Sequence, residues 1–478
     1  MLAGGSTPGL RAPCCAGKRF STWLRVFKRR HKGNFYQVLV IMLAKALAPI
    51  PAATRQLSGW AYASMWLGDG FNIGNVTLGA SLVVAGTATL NLVQTLVAAG
   101  LAILLIALIF CCNDQFGYRT GAPYVIQLRL SFGVTGAKWA SLLRAVPAIV
   151  WFGFQSWTGA LALNQIVGFI VQRPVHQVVA CFVALQLVQV VLALNGFRTI
   201  KVVTAAVSMV VLVALCVALV LILTQHGPVL ATRFVHIQGS WGLPFWSLVV
   251  AFLGNYTAIF ESAADYAREL RPGFSTRQRF GLYAVPLTLA YGTTLVTGAL
   301  LAVTTGLSSP VPALAQLFHQ PVLTTFVAVF IVLGVITTNT VANIMPPAYV
   351  LTALFNLPQR VAVAGVGVLA TFTCPWLLVQ NTAATGLALF IKSYAIFLGP
   401  MTAIMLLEFY GVRGGQVQVA PLYDATTQPA WRWPALVALC SGAVVAWRFV
   451  DLSWLVGFGV GGLVYAGIMC WQKRWCLG

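Results

Sequence analysis

The chain has 478 residues, 59% of them hydrophobic and only 8% charged, and its 29 Lys and Arg against 8 Asp and Glu give a net charge of +21. So few charges exclude a soluble fold of this length. Most of the basic residues lie at one set of loops and ends of the apolar segments, a distribution that argues against nucleic acid as the partner that the charge would otherwise suggest.

Residues 1–58 carry ten basic residues and no acid, and are expected to form a cytoplasmic tail held near anionic lipid. An organelle transit peptide is the alternative for so Arg-rich a stretch. Twelve apolar segments follow, at 59–84, 88–112, 138–171, 175–195, 199–224, 242–264, 279–306, 321–343, 360–380, 385–411, 432–450 and 453–472. Each is near the roughly 20 residues that a helix needs to cross a bilayer. The chain therefore reads as an all-α polytopic membrane protein in one integral domain. Of the 29 basic residues, 25 fall on one side of a twelve-helix weave, and the positive-inside rule puts both termini in the cytoplasm. A plasma or bacterial inner membrane and a monomeric working unit are expected. The ten cysteines form no C-x-x-C framework and read as free thiols.

Segment one contains W-L-G-D-G-F-N-I-G-N-V-T-L-G, Trp66 to Gly79. Four glycines, two asparagines and Asp69 in an apolar run predict a broken helix beside a polar cavity, because freed backbone and a carboxylate at membrane depth must face protein or water. Segment six carries a second such stretch, Gly254 to Asp265, with its break expected at Gly254, Asn255 and Tyr256. Paired interrupted segments point to the binding site of a secondary transporter.

In segment three, Trp151 and Gln155 lie four apart and share a helix face. An indole and a carboxamide suit a planar heterocycle with N–H and C=O edges; a packing Trp and an interhelical amide bond are the alternative. Trp157 points elsewhere and reads as packing. Segment eight ends G-V-I-T-T-N-T-V-A-N, in which Gly334, Thr337 and Thr338 offer a carbonyl and two hydroxyls. Such hydroxyls also commonly bond their own helix. Asn339 and Asn343, four apart, offer amides, and Met345–Pro346–Pro347 is expected to stop the helix.

Asp69 and Glu261, one in each interrupted segment, could face each other and carry coupling protons. A salt bridge from either to Lys392 of segment ten is the alternative. Asp265 and Arg268 are expected to pair at the cytoplasmic end, and Glu408 to be structural. Tyr394, Phe397 and Leu398 could form a thin gate or simply pack. The five histidines lie in loops or helix ends without an H-E-x-x-H pattern, so an enzyme is not expected and no cofactor is implied. A channel or a non-transporting sensor remains a weaker alternative.

The loop F-G-Y-R-T-G-A-P-Y-V-I-Q-L-R-L-S-F-G-V-T-G, Phe116 to Gly136, resembles the signature of the first nucleobase–cation symporter family, through Gly117, Gly121, Pro123, Val125, Arg129, Ser131, Phe132, Gly133 and Gly136. F-I-K-S-Y-A-I-F-L-G-P-M-T-A-I-M, Phe390 to Met405, and V-R-G-G…P-L-Y, Val412 to Tyr423, are similar to further family markers, and the resemblance covers roughly residues 46–425. The lead-in A-K-A-L-A-P-I-P, Ala44 to Pro51, lacks the family's Asn and Asp.

The resemblance implies a LeuT-type 5+5 inverted repeat, 59–224 and 242–411 within a transporter core at 59–411, with two further helices in 412–478. It implies cation symport of a nucleobase or related heterocycle such as uracil, allantoin, cytosine or a hydantoin, with a vitamin-type pyrimidine (thiamine or hydroxymethylpyrimidine) as the alternative. By the same resemblance, Trp151 and Tyr256 stack on the substrate, and Asn72, Gln155, Asn339 and Asn343 read its polar edge. Carbonyls of Gly68 and Phe71 join Gly334, Thr337 and Thr338 around sodium, or a proton is the coupling ion. Helix ten occludes the site.

Overall fold

The computed structural model describes residues 46–472 apart from 85–86, 196, 318–320, 379–382 and 425. Most of the basic tail and residues 473–478 lie outside the described residues. Every predicted apolar segment falls on a helix, and eight helical stretches among the described residues are long and apolar enough to cross a bilayer.

Ser58 accepts from the Ala61 amide and starts α1, Gly59–Gly70. Phe71 then leaves helical geometry (φ −80°, ψ 52°), and Asn72 caps α2, Ile73–Ala80, its Oδ1 accepting from Gly74 N at 2.7 Å. The first break thus lies inside the predicted stretch. The break frees the Gly70 carbonyl, which accepts from Asn75 Nδ2 at 2.9 Å and Thr294 Oγ1 at 3.0 Å. Inside a membrane those bonds are required, because no water can make them.

A short hairpin, β1 Val83–Val84 and β2 Thr87–Ala88, leads to α3, Leu92–Thr120. Asn113 and Asp114 therefore lie inside a helix, not at its end as the segment boundary suggested, and the helix stops at Gly121 in a left-handed conformation (φ 72°). The remainder of the signature stretch forms α4, Tyr124–Gln127, and α5, Arg129–Ala140. Arg129 Nη1 donates to the Leu422 carbonyl at 2.7 Å, and the amides of Val134, Thr135 and Gly136 bond the carbonyls of Pro429 and Ala430. The signature thus ties the connection between α3 and α6 to the segment before the last two helices.

Next come α6, Leu142–Ile170, α7, Val178–Leu194, and α8, Phe197–Leu230. In the second half, α9, Leu243–Glu261, runs unbroken through Gly254, Asn255 and Tyr256. The interruption comes later, at Ser262 (φ −92°, ψ 25°), before α10, Ala263–Ala267. Asn113 Nδ2 donates to the Phe260 and Glu261 carbonyls freed there, at 2.7 and 2.8 Å.

The chain continues with α11, Thr276–Leu287, α12, Thr293–Thr305, α13, Pro310–Leu317, and α14, Pro321–Thr338. A π turn at Asn339–Ile344 passes directly into α15, Met345–Phe355. Pro346 and Pro347 occupy the first positions of α15 and so do not stop the segment. The missing Pro346 N–H leaves the Ala342 carbonyl free for another donor. Last are α16, Gln359–Thr371, α17, Ala383–Leu406, α18, Trp433–Arg448, and α19, Ser453–Trp471.

Small residues set the closest contacts. A Cβ on Gly79 of α2 would lie 2.0 Å from the Leu295 carbonyl oxygen, and one on Gly298 of α12 only 1.9 Å from that of Val76. These two helices touch backbone to backbone, as small residues allow in membranes.

Candidate functional site

The break between α1 and α2 faces α6, α9 and the π turn, and a cavity lies between them. Its lining includes Asn72, Trp151, Gln155, Tyr256 and Asn343, five of the six residues expected to contact substrate. All five are buried. Asp69 and Thr338 also line it, as do Asn75 and Asn255. From sequence Asn255 reads only as part of a helix break, and Asn75 is not singled out. Its place three residues after the capping Asn72, in the first turn of α2, is the signal that points to it.

The amides are ordered by one another. Asn255 Nδ2 donates to Asn75 Oδ1 at 2.8 Å and to the Tyr291 hydroxyl at 3.3 Å. Trp151 Nε1 donates to the Tyr394 hydroxyl at 3.3 Å, and that hydroxyl donates to the Asn255 carbonyl at 3.4 Å. The indole is therefore fixed from its polar edge while its ring borders the cavity.

Asn339 does not line the cavity. Its Nδ2 donates to Gln189 Oε1 at 2.7 Å and to Ser156 Oγ at 3.2 Å, and its Oδ1 accepts from Asn343 Nδ2 at 2.9 Å. It holds Asn343 in position from behind. The sequence pattern shows that these two share a helix face, but not which one meets a neighbouring helix.

Of the five expected cation ligands, Thr338 and Gly334 of α14 approach Gly68 and Phe71 of the first span, while Thr337 bonds within its own helix. Thr338 Oγ1 lies 3.2 Å from the Gly68 carbonyl oxygen and Thr337 Oγ1 lies 2.9 Å from that of Gly334. A Cβ on Gly334 would fall 2.9 Å from the Phe71 carbonyl oxygen, so that carbonyl approaches α14 closely. Carbonyls and hydroxyls make a set of hard oxygen donors, of the kind that unwound helices offer to sodium.

The charged groups depart further from expectation. Lys392 reaches neither Asp69 nor Glu261: it pairs with Asp451 at 2.6 Å and donates to Ser247 Oγ at 3.0 Å. Glu261 is buried away from the cavity lining, with one carboxylate oxygen accepting from the Thr402 hydroxyl and Oε2 without a partner. Asp265 Oδ1 accepts from the Tyr124 amide at 2.8 Å. Arg268 donates to the Ala46 carbonyl and lies 4.8 Å above the Tyr349 ring, so these two residues bond elsewhere than to each other. Glu408 is structural, accepting from Arg413 and Tyr465.

Of the three gate candidates, Tyr394 and Leu398 are buried, whereas Phe397 is 38% exposed and faces outward. Phe390 is the aromatic that stands beside the indole, 6.1 Å from the Trp151 ring and 5.1 Å from that of Tyr394. Trp157 packs on Phe182 and Trp376, as expected.

Arg144, counted from sequence as a charge at a helix end, is fully buried in α6. Its Nε donates to Ser262 Oγ at 2.9 Å and its Nη2 to the Ala342 carbonyl at 2.9 Å. The guanidinium thus joins the break after α9 to the π turn, on the same helix as Trp151.

A bundle of apolar helices, two of its spans interrupted around a buried cavity lined with amides, defines a membrane transporter of the broken-helix class and not an enzyme. The match of residues 49–469 to the family described as "Permease for cytosine/purines, uracil, thiamine, allantoin" extends over most of the chain, and the chain belongs to that family. Among its relatives, the hydantoin permease of Microbacterium maritypicum is 27% identical over 91% of this chain and 90% of its own. The allantoin permease of Bacillus subtilis is 25% identical over 88% and 92%. The fold is shared with Mhp1, a nucleobase-cation-symport-1 family transporter solved in a closed conformation with bromovinylhydantoin bound. The TM-score is 0.80 at 23% identity, over 91% of this chain and 97% of that one.

Proposed function

We propose that the chain imports a planar nitrogen heterocycle of the nucleobase, allantoin or hydantoin kind together with a cation, by alternating access. The ring would stack between Trp151 and Tyr256, with Asn72, Gln155 and Asn343 reading its edge. The observation that carries this reading is the meeting of those five residues at one buried cavity, next to the cluster of Gly68, Phe71, Gly334, Thr337 and Thr338. Relatives named for hydantoin and allantoin favour the same substrate class.

A sodium ion bound by that oxygen cluster would tie α14 to the broken first span. Because the break also shapes the cavity, cation and substrate would each raise the affinity for the other. If a proton is coupled instead, Glu261 is the candidate carrier, since it is buried with an unpartnered oxygen and Lys392 is engaged by Asp451. Every polar group of the cavity is buried, so entry and exit require movement. Tyr394 with Phe390 would close one side, and the Arg144 contacts the other. The two interrupted spans fit the 5+5 repeat, 59–224 and 242–411, with α18 and α19 outside it. Both termini would be cytoplasmic, in a plasma or bacterial inner membrane.

The test is uptake of labelled uracil, cytosine, guanine, allantoin and hydantoin by a transport-deficient cell expressing the chain, with and without sodium and at two pH values. Saturable, ion-dependent accumulation of at least one ring is expected. Uptake of none, or uptake that no ion gradient drives, would overturn the proposal.

A further inference from the structure

We infer that Asp69 makes this cavity selective for heterocycles that present two N–H donors on one edge. The inference rests on the substrate reading above and deepens it. Asp69 is 1% exposed and lines the cavity, and neither of its carboxylate oxygens has a hydrogen-bond partner. Gln155 Oε1, in the same lining, has none either. Buried acceptors are normally satisfied, and leaving one unpaired costs about 1–3 kcal/mol, more for a charged group. The Asp69 carboxylate is therefore short of donors.

Three of the lining amides are committed elsewhere. Asn75 Nδ2 is on the Gly70 carbonyl, Asn255 Nδ2 on Asn75 and Tyr291, and Asn343 Nδ2 on Asn339. Tyr256, in the same lining, has a single hydroxyl proton to offer Asp69, which leaves the second carboxylate oxygen without a donor. Arg144 Nε and Nη2 are taken by Ser262, Tyr266 and Ala342, and its Nη1 has no partner. A ligand that brings donors to Asp69 offsets the unpaired oxygens.

A carboxylate accepts two parallel N–H bonds along one edge. Guanine and isocytosine carry a ring N–H next to an amino group and match that edge, as ureido groups do. Uracil and hypoxanthine place a carbonyl or a C–H where the amino group would be. A uracil carbonyl would face the carboxylate with like partial charge. Sites built to bond a donor reject analogues that lack it much more strongly than apolar pockets reject a missing methylene.

The test uses the full chain in proteoliposomes and reads inhibition of labelled-substrate uptake by two matched pairs, isocytosine against uracil and guanine against hypoxanthine. The member with the donor pair is expected to inhibit at least about tenfold better in the wild type, a difference near 1.4 kcal/mol. In Asp69→Asn that preference should fall to within about threefold. The wild-type ratio alone tests the inference should that variant fail to fold. Equal inhibition within both pairs would overturn it while leaving the transport reading intact. A preference retained in a folded Asp69→Asn would overturn it as well. Absence of uptake of any ring would instead strike the substrate reading on which it rests.

Discussion

Arg144 Nε and Ser262 Oγ are 2.9 Å apart, and this bond carries a guanidinium from α6 to the point where the sixth span breaks. The same side chain fills the carbonyl that Pro346 leaves free at Ala342. One buried cation therefore closes two helix interruptions at once. Replacing Arg144 by Ala would leave both unpaired, a loss of about 1–3 kcal/mol for each buried group left without a partner. Arg144→Lys cannot span both acceptors in a fixed fork and should recover only part. Thermal melting of the purified protein should rank wild type above Lys above Ala, with uptake following the same order. Equal melting of all three would refute the role.

The α2–α12 contact predicts a steric effect. Gly298→Val places two methyls where the Val76 carbonyl stands, and separating two helix backbones costs typically 1–3 kcal/mol or more. Less folded protein in detergent and a melting point lowered by several degrees are expected. At Gly100 a Cβ meets nothing within 4 Å, so Gly100→Ala should leave both unchanged.

Cation dependence should separate the two threonines. Thr338 reaches across to the first span, whereas Thr337 bonds within its own helix at Gly334 and Leu333. If sodium is the coupled ion, Thr338→Val should raise the sodium concentration for half-maximal uptake by roughly tenfold or more, about 1.4 kcal/mol. Thr337→Val should shift it less. Titration of initial uptake rate against sodium at saturating substrate measures both.

Lys392 and Glu261 should behave in opposite ways. The Lys392–Asp451 pair is half exposed on the aspartate side and contributes little, within the roughly 0–1 kcal/mol of surface pairs. Lys392→Met should keep uptake within about twofold of wild type. Glu261→Gln, if the carrier is proton-coupled, should still exchange substrate but lose accumulation driven by a pH gradient. A Glu261→Gln protein that concentrates substrate normally under that gradient removes Glu261 from the mechanism.

The sequence makes the first broken span legible because its signals are local. Glycines, Asp69 and a capping asparagine sit within a few residues of the bend at Phe71. The sixth span misleads for the converse reason. Gly254 and Asn255 stay helical because the Asn255 amide finds Asn75 and Tyr291, while the real break at Ser262 has no glycine and is held by Asn113, far back in the chain. Helix-face arithmetic placed Trp151 with Gln155 correctly but could not choose between Asn339 and Asn343, since Gln189 decides it. The sequence offers Lys392 the carboxylates of the two interrupted segments as alternative partners, whereas Asp451, just before the last helix, takes it. Arg144 was hidden by the positive-inside count, which treats a basic residue near a segment end as solvated.

The most direct test of the central claim compares half-saturation constants for the best substrate in Gln155→Leu and Asn339→Leu at equal surface expression. The account predicts that Gln155→Leu, which removes an amide lining the cavity, raises the constant by at least about tenfold. Asn339→Leu should act mainly on the amount of folded carrier through the Gln189 and Ser156 contacts. A Gln155→Leu carrier with a wild-type constant would contradict the claim that the ring binds in the cavity between α6 and the broken first span.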